Sequence, residues 1–393
     1  MLTDWYHHNY TYLVDQTMAP NNVLATGGPN APQSNNNLIN GKMNYDCSET
    51  SLPCTPNAGL SKFNFTSGET MKLRLVNTGS QAIQKFSIDG HNMTVVANDF
   101  VPIQPYNTDH VSLGIGQRAD VLVNGTGKAG EAYWMRSNIK GCSNNDGVSP
   151  LALAAIYYED ADQTIKPTTS SQVNDDSQQF CANDPLQQTI PVYQMDAPTP
   201  GVSEQIDIVL KNNGTHNLYY MNDLTFRADY NNPILEQVHN GNMTFDPMAA
   251  VHNYGSNASV QLVVLNYDAQ FHPMHLHGHN MQVLNVGFGP WDGSIVRQDN
   301  PQRRDVQLMP PGSPDSPSHM VIQWTQYNPG VWPFHCHIAW HLSAGLYFNV
   351  LEQPDKIQND GKFANLNGIA SQTCRSWDAF SNRNVVDEID DGV

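Results

Sequence analysis

Between Trp332 and Leu346 the chain reads Trp-Pro-Phe-His-Cys-His-Ile-Ala-Trp-His-Leu-Ser-Ala-Gly-Leu, and few segments restrict a fold so tightly. In an extended strand successive side chains point to opposite faces, so His335 and His337 share one face while Cys336 points to the other. One short strand can therefore serve two metal sites back to back. Cys336 offers a soft thiolate, and a tight turn after the strand would bring His341 beside it. A thiolate with two imidazoles is the donor set of a blue-copper site, so the Cys336 face needs one more histidine.

An earlier stretch, Phe271-His-Pro-Met-His-Leu-His-Gly-His279, can supply it. His275, His277 and His279 alternate onto one strand face, and His272 is set apart by Pro273, which fixes its own backbone and disturbs pairing. His272 is read as the third ligand of the Cys336 site. His275 and His277 are read as partners of His335 and His337 in a second cluster. A lone histidine is usually a surface or core residue, but seven with a cysteine in two tight groups point to metal.

At these residues the chain resembles the multicopper oxidases, and among them the fungal, ascomycete-type laccases. HPMHLHGHN and WPFHCHIAWHLSAGL are similar to the third and fourth copper signatures of that family. The resemblance implies that His272, Cys336 and His341 bind type 1 copper, His275 type 2 copper, and His277, His335 and His337 the type 3 pair. It implies no ligand role for His279, which spacing alone does not exclude. Leu346 falls at the axial position and offers no donor atom, which predicts a higher potential than a methionine would give. Substrate electrons are expected to enter at the His341 edge, beside Trp340.

The same resemblance implies a gap. The laccase motifs His-Trp-His-Gly and His-Ser-His do not occur here, and none of the other eight histidines forms a His-x-His pair. Four of the eight imidazoles of the family's trinuclear cluster are thus expected, the rest coming from a missing N-terminal cupredoxin domain or an oligomer partner. Thr3-Asp-Trp-Tyr6 resembles the start of the second family domain, so the chain is expected to cover the second and third domains only. The implied fold is all-β: two cupredoxin-like Greek-key sandwich or barrel domains at 1–160 and 205–360, a polar linker at 161–204, and a C-terminal tail at 361–393.

The residues support the β reading independently. Runs such as Lys72 to Val76, Met93 to Ala97, Ala119 to Val123, Val260 to Leu265 and Met320 to Trp324 are separated by turn signals, without long helical periodicity. A length of 393 residues has room for two cores, and only 14% of residues are charged. A formal net charge of -18 argues against nucleic acid or anionic membrane as partner. The longest apolar run, Leu151 to Tyr158, is about one strand, and no signal peptide is visible at Met1. Seven Asn-x-Ser/Thr sequons, at Asn9, Asn64, Asn92, Asn124, Asn213, Asn242 and Asn257, nevertheless favour a secreted glycoprotein. Cys47 with Cys54 and Cys142 with Cys181 are expected disulfides, leaving Cys374 over. In ascomycete laccases a cysteine in that region pairs with one in the first domain.

For the substrate pocket, Asn30-Ala31-Pro32 resembles a bordering loop, and Gln81 falls where the family places an acid that accepts the phenol proton. A glutamine cannot take that proton. Asp99 is a substitute or, more simply, a surface aspartate in a loop, and Arg303-Arg-Asp305 is read as a structural charged turn. The end, Asp390-Asp-Gly-Val393, is either a frayed acidic tail or, by resemblance, a plug for the channel to the trinuclear site. The expected activity is one-electron oxidation of phenolic or aromatic reductants coupled to reduction of dioxygen to water. The alternative is a type 1 copper electron-transfer protein that does not reduce oxygen.

Overall fold

The computed structural model describes residues 1–20, 31–142, 147–173 and 181–381. Strands dominate and form two β-sandwiches. In the first, a five-stranded sheet ordered Ser61–Asn64, Leu151–Tyr157, Ala132–Asn138, Gln84–Ile88 and His110–Leu113 faces a four-stranded sheet ordered Thr70–Val76, Arg118–Asn124, Met93–Asn98 and Val101–Thr108. The period-2 pattern explains the packing: in Arg118–Asn124, Ala119, Val121 and Val123 turn inward while their neighbours are partly exposed. They meet Phe86, Ile88, Met135 and Ile156 from the opposite sheet in one core.

The second sandwich pairs a six-stranded sheet with a five-stranded one. Its larger sheet runs Asn217–Met221, Val202–Asn212, Ser259–Asn266, Ser318–Thr325, Met281–Phe288 and Gln302–Arg304. The smaller runs Val251–Asn253, Tyr347–Glu352, Gly330–Cys336, His272–Leu276 and Val306–Met309. Both histidine-bearing strands are thus neighbours in the smaller sheet, with His275 opposite His335 and Met274 opposite Cys336. Strands here are buried on both faces, because one face meets the core of Val264, Ile322, Phe334 and Phe348 and the other, which carries polar residues such as Gln323 and Asn349, meets neighbouring chain.

Among the described residues no strand forms between Tyr157 and Val202. That polar stretch laces the sandwiches together rather than hanging free. Ile190 and Val192 bond to Gln104 and Pro102 of the first, and Ala197 and Pro198 bond to Gln298 and Gln323 of the second. Both expected disulfides form, Cys47–Cys54 and Cys142–Cys181, and Cys336 and Cys374 remain free.

Among the described residues five short to medium α-helices depart from the strand-only reading, the two longest being Tyr10–Thr17 and Leu366–Ser381. Tyr10–Thr17 starts where the Asn9 side chain accepts the Tyr12 amide at 2.9 Å, a local cap that strand periodicity does not register. Leu366–Ser381 occupies the expected tail, anchored by the Trp377 indole on Asn231 at 2.8 Å. Residues 390–393 lie outside the described residues. No described helix is long and apolar enough to cross a membrane.

Candidate metal centre

The strand Gly330–Cys336 ends at its cysteine, and the turn that follows does what the sequence requires. A short helix, Ala339–Ser343, reverses the chain, so that the Leu346 amide donates to His341 O at 3.0 Å and the Cys336 amide to Leu346 O at 3.1 Å. Gly345 makes this return fit: its φ is +90°, and a Cβ there would stand 2.1 Å from Thr225 Oγ1. Leu346 is consequently fully buried beside Cys336.

His272, Cys336 and His341 converge. Cys336 Sγ lies 3.6 Å from His272 Nδ1 and 3.7 Å from His341 Nδ1, and the two nitrogens are 3.1 Å apart. Burial pushes the Cys336 thiol well up, with the Asp268 carboxylate adding to that and the Ile338 amide, 3.5 Å from the sulfur, opposing it. Burial and the neighbouring His272 lower His341 to about 3, so its imidazole is neutral. A neutral imidazole and a thiol that ionises only beside a cation fit a soft metal ion. Behind His272 stands Asp268, whose Oδ2 is 3.4 Å from His272 Nε2 and accepts the Tyr219 hydroxyl at 3.0 Å. That carboxylate gives the ring a charged neighbour, without a hydrogen bond to Nε2.

On the opposite face His275, His277 and His335 form a second group, with donor atoms within 4.8 Å of one another. His277 Nε2 and His335 Nε2 are 3.0 Å apart. The His335 Nδ1 donates to Cys336 O at 2.8 Å and the His275 Nδ1 to Asp305 O at 2.7 Å, so each ring keeps Nε2 as its donor atom. Burial, with repulsion among the rings, lowers His277 to about 4, and burial lowers His335 to about 3 against the opposing Cys336 carbonyl. His337 stands beside them, its ring centroid 5.8 Å from that of His275 and 5.7 Å from that of His335. Four neutral imidazoles on one half-exposed face fit metal, and the Cys336 site is closed by comparison.

His279 belongs to neither group. The strand stops at Leu276, and Gly278, at φ +71° with the Trp332 ring 2.7 Å from where a Cβ would be, breaks the alternation. His279 Nδ1 donates to His277 O at 3.0 Å, and Nε2 lies 2.8 Å from Glu352 Oε2, close in distance but off-line for a hydrogen bond. Both nitrogens face oxygens of the protein.

Near His341, Trp340 Nε1 donates to Gln81 Oε1 at 2.8 Å. Gln81 is held there by Asp4, which accepts the amides of Ser80, Gln81 and Ala82 at 2.7, 2.9 and 2.9 Å. The Tyr6 and Tyr10 rings cover Trp340. Tyr10, Asp268 and Tyr219 carry no local motif, although Asp268 stands only four residues before His272, and Thr3-Asp-Trp-Tyr6, which resembles the start of a family domain, gives no sign that Asp4 and Tyr6 reach this site. Ala31 and Pro32 are buried, while Asn30 lies outside the described residues. Asp99 is not a surface aspartate and has no free oxygen to serve as a phenol base. Its side chain is fully buried, with Oδ1 accepting the Arg118 amide at 2.8 Å and Oδ2 accepting Arg304 Nε at 2.9 Å.

Two family models described as multicopper oxidase match residues 1–161 and 214–356. An oxidoreductase of Beauveria bassiana is 32% identical over 390 residues, covering 97% of this chain and 63% of that protein. Laccase-2 of Botryotinia fuckeliana is 30% identical over 407 residues, covering all of this chain and 65% of its own length. The chain thus spans less than two thirds of these relatives. The crystal structure of a laccase from Botrytis aclada superposes with a TM-score of 0.84 at 28% identity, covering 100% of this chain and 70% of that one.

Proposed function

The chain belongs to the multicopper oxidase family, which uses copper, dioxygen and a reducing substrate, and from that premise we propose that it is the laccase-like part of such an oxidase. In this reading His272, Cys336 and His341 hold type 1 copper, His275 type 2 copper, and His277, His335 and His337 the type 3 pair. Bound copper would supply one-electron oxidation of a phenolic or other aromatic reductant coupled to reduction of dioxygen to water. The observation that carries the reading is the back-to-back placement of the two donor sets. Cys336 is peptide-bonded to both His335 and His337, and its carbonyl also accepts His335 Nδ1 at 2.8 Å. The two sites therefore share a covalent path with no solvent gap.

The imidazole face has four rings and is half open, which supports a partner segment with further histidines: an N-terminal cupredoxin domain of a longer protein, or one from another chain. The closed Cys336 site beside an open imidazole face also favours a second reading, a type 1 copper electron-transfer protein. Secretion is supported by the two disulfides and by the exposure of all seven sequon asparagines.

Copper loading followed by metal analysis, absorbance and paramagnetic resonance tests the assignment. We expect an intense blue thiolate band from one copper per chain; a loaded chain that stays colourless overturns it. Gln81 makes a second expectation. Gln81→Glu keeps the acceptor for Trp340 and adds a proton acceptor, so anaerobic bleaching of the blue band by a hydroquinone should accelerate by about 100-fold above the carboxyl's range, about pH 4.3. Reduction by a ferrocene, which loses no proton, should show no such gain. Equal effects on both reductants would remove proton transfer as the reason for an acid at this position.

A further inference from the structure

The first sandwich carries no metal cluster among its described residues, yet one of its turns reaches the imidazole face of the second. We propose that the turn Gly114–Arg118 is a positioning element of the His275, His277, His335 and His337 cluster, acting on His275 through Arg118 and Asp305 and on His337 through Gly116. The proposal rests on the reading of that cluster as a metal site.

The turn joins His110–Leu113 to Arg118–Asn124. Its Gly116 has φ +79°, and a Cβ there would lie 2.4 Å from His337 Cδ2 and 2.6 Å from Nε2. Only glycine lets the turn lie against that ring. The His337 amide is tied to Pro273 O at 2.8 Å, so the second sandwich holds its backbone while the turn of the first lies against its ring. Gln117 fixes the turn by donating to Val306 O at 2.9 Å, while its own Oε1 accepts the Gly114 amide at 2.8 Å.

Arg118 acts on the second imidazole. Its two terminal nitrogens grip the two Asp305 oxygens at 2.8 and 3.0 Å, and one of them also donates to Gly116 O at 2.9 Å. Such a fork fixes direction as well as distance. What it fixes is the residue whose backbone carbonyl accepts His275 Nδ1 at 2.7 Å and the Leu276 amide at 3.1 Å. Asp99, clamped between the Arg118 amide and Arg304, makes the same junction rigid from the other side. Phe100 lies over the guanidinium, 4.6 Å from ring centroid to carbon, on the rim of the imidazole depression. The aim of His275 Nε2 is therefore set by a residue of the other sandwich. Outer partners of metal-binding histidines typically carry 10- to 100-fold in metal affinity.

The test uses the full chain titrated with Cu(II), reading the blue absorbance of the Cys336 site and the non-blue paramagnetic resonance of the imidazole site separately. Arg118→Ala and Arg118→Lys are compared with Arg136→Ala, which breaks a similar fork to Asp89, at 2.7 and 2.9 Å, inside the first sandwich. Arg118→Ala should weaken Cu(II) at the imidazole site by about 10- to 100-fold and change its resonance parameters, leaving the blue band per bound copper unaltered. Arg118→Lys keeps the charge without the fork and should show the same change in smaller degree, which also covers a failure of the alanine variant to fold. Arg136→Ala should move neither site. Imidazole-site affinity within twofold of the unaltered chain in the Arg118 variants, or equal weakening of both sites by Arg118→Ala and Arg136→Ala, overturns the proposal. An unaltered chain that binds no Cu(II) beyond the blue site overturns the cluster reading as well.

Discussion

Cys336→Ser is expected to give a chain with no blue band at any copper concentration and with no stabilisation from copper at the His272 and His341 site. The reason is the donor, because a serine hydroxyl is hard, neutral and a poor ligand where a soft thiolate selects copper. Cys336 is fully buried, and the two Nδ1 atoms 3.6 and 3.7 Å away cannot close a three-donor site without it. A ligand at 100 times its dissociation constant adds about 2.7 kcal/mol to stability, so thermal unfolding with and without copper measures the loss. The imidazole face keeps its donors, so any copper shift left in Cys336→Ser belongs to it. A blue band in the serine variant would place the thiolate elsewhere, with Cys374 the only other free cysteine in the chain.

What could be read from the sequence follows how local each determinant is. Alternation along Trp332 to Cys336 is local and separates the donor sets, but Pro273 does not disturb pairing as expected: the strand His272–Leu276 runs through it in register, and alternation alone puts His272 on the Cys336 face and His275 on the other. The turn to His341 was readable because five residues leave little freedom. Period-2 reasoning holds only while the strand does, and at Gly278 it ends, so His279 could not be excluded by spacing. Asp4 and Arg118 could not be found at all, since each joins its site through the packing of distant segments, and Asp268, though only four residues before His272, lies between two strands where no period applies. Asp99 shows the same limit from the other side. A charged residue between two strands looks exposed until the second sandwich brings Arg304 to it. The Leu366–Ser381 helix was missed because its anchor, Asn231, lies 146 residues from Trp377.

Glu352→Ala is expected to lower the stability of the second sandwich by about 1–3 kcal/mol, from the Asn328 amide losing its charged acceptor. Glu352 and His279 have fully buried side chains. Glu352 Oε1 accepts the Asn328 amide at 2.7 Å, Asn328 in turn donates to Gly278 O at 3.1 Å, and its carbonyl accepts the Trp332 indole at 2.7 Å. One carboxylate thus ties two turns, at 278–279 and 328–332, to the end of the strand Tyr347–Glu352. Removing it strands the Asn328 amide and takes the carboxylate away from beside His279 Nε2. Glu352→Gln leaves an acceptor for Asn328 and should cost about half as much, read as a shift in the urea midpoint with an unchanged slope. An alanine variant within about 0.5 kcal/mol of the unaltered chain would show that water replaces the carboxylate at no cost. The same variant separates two roles for His279. If the ring were a metal ligand held in reserve, freeing Nε2 would tighten Cu(II) at the imidazole face. As a tie it holds His277 through the Nδ1 contact to His277 O at 3.0 Å, so the loss of Glu352 should loosen His277 and weaken Cu(II) there. The direction of that single change decides between them, because only one role has His279 pulling on His277 rather than on the metal.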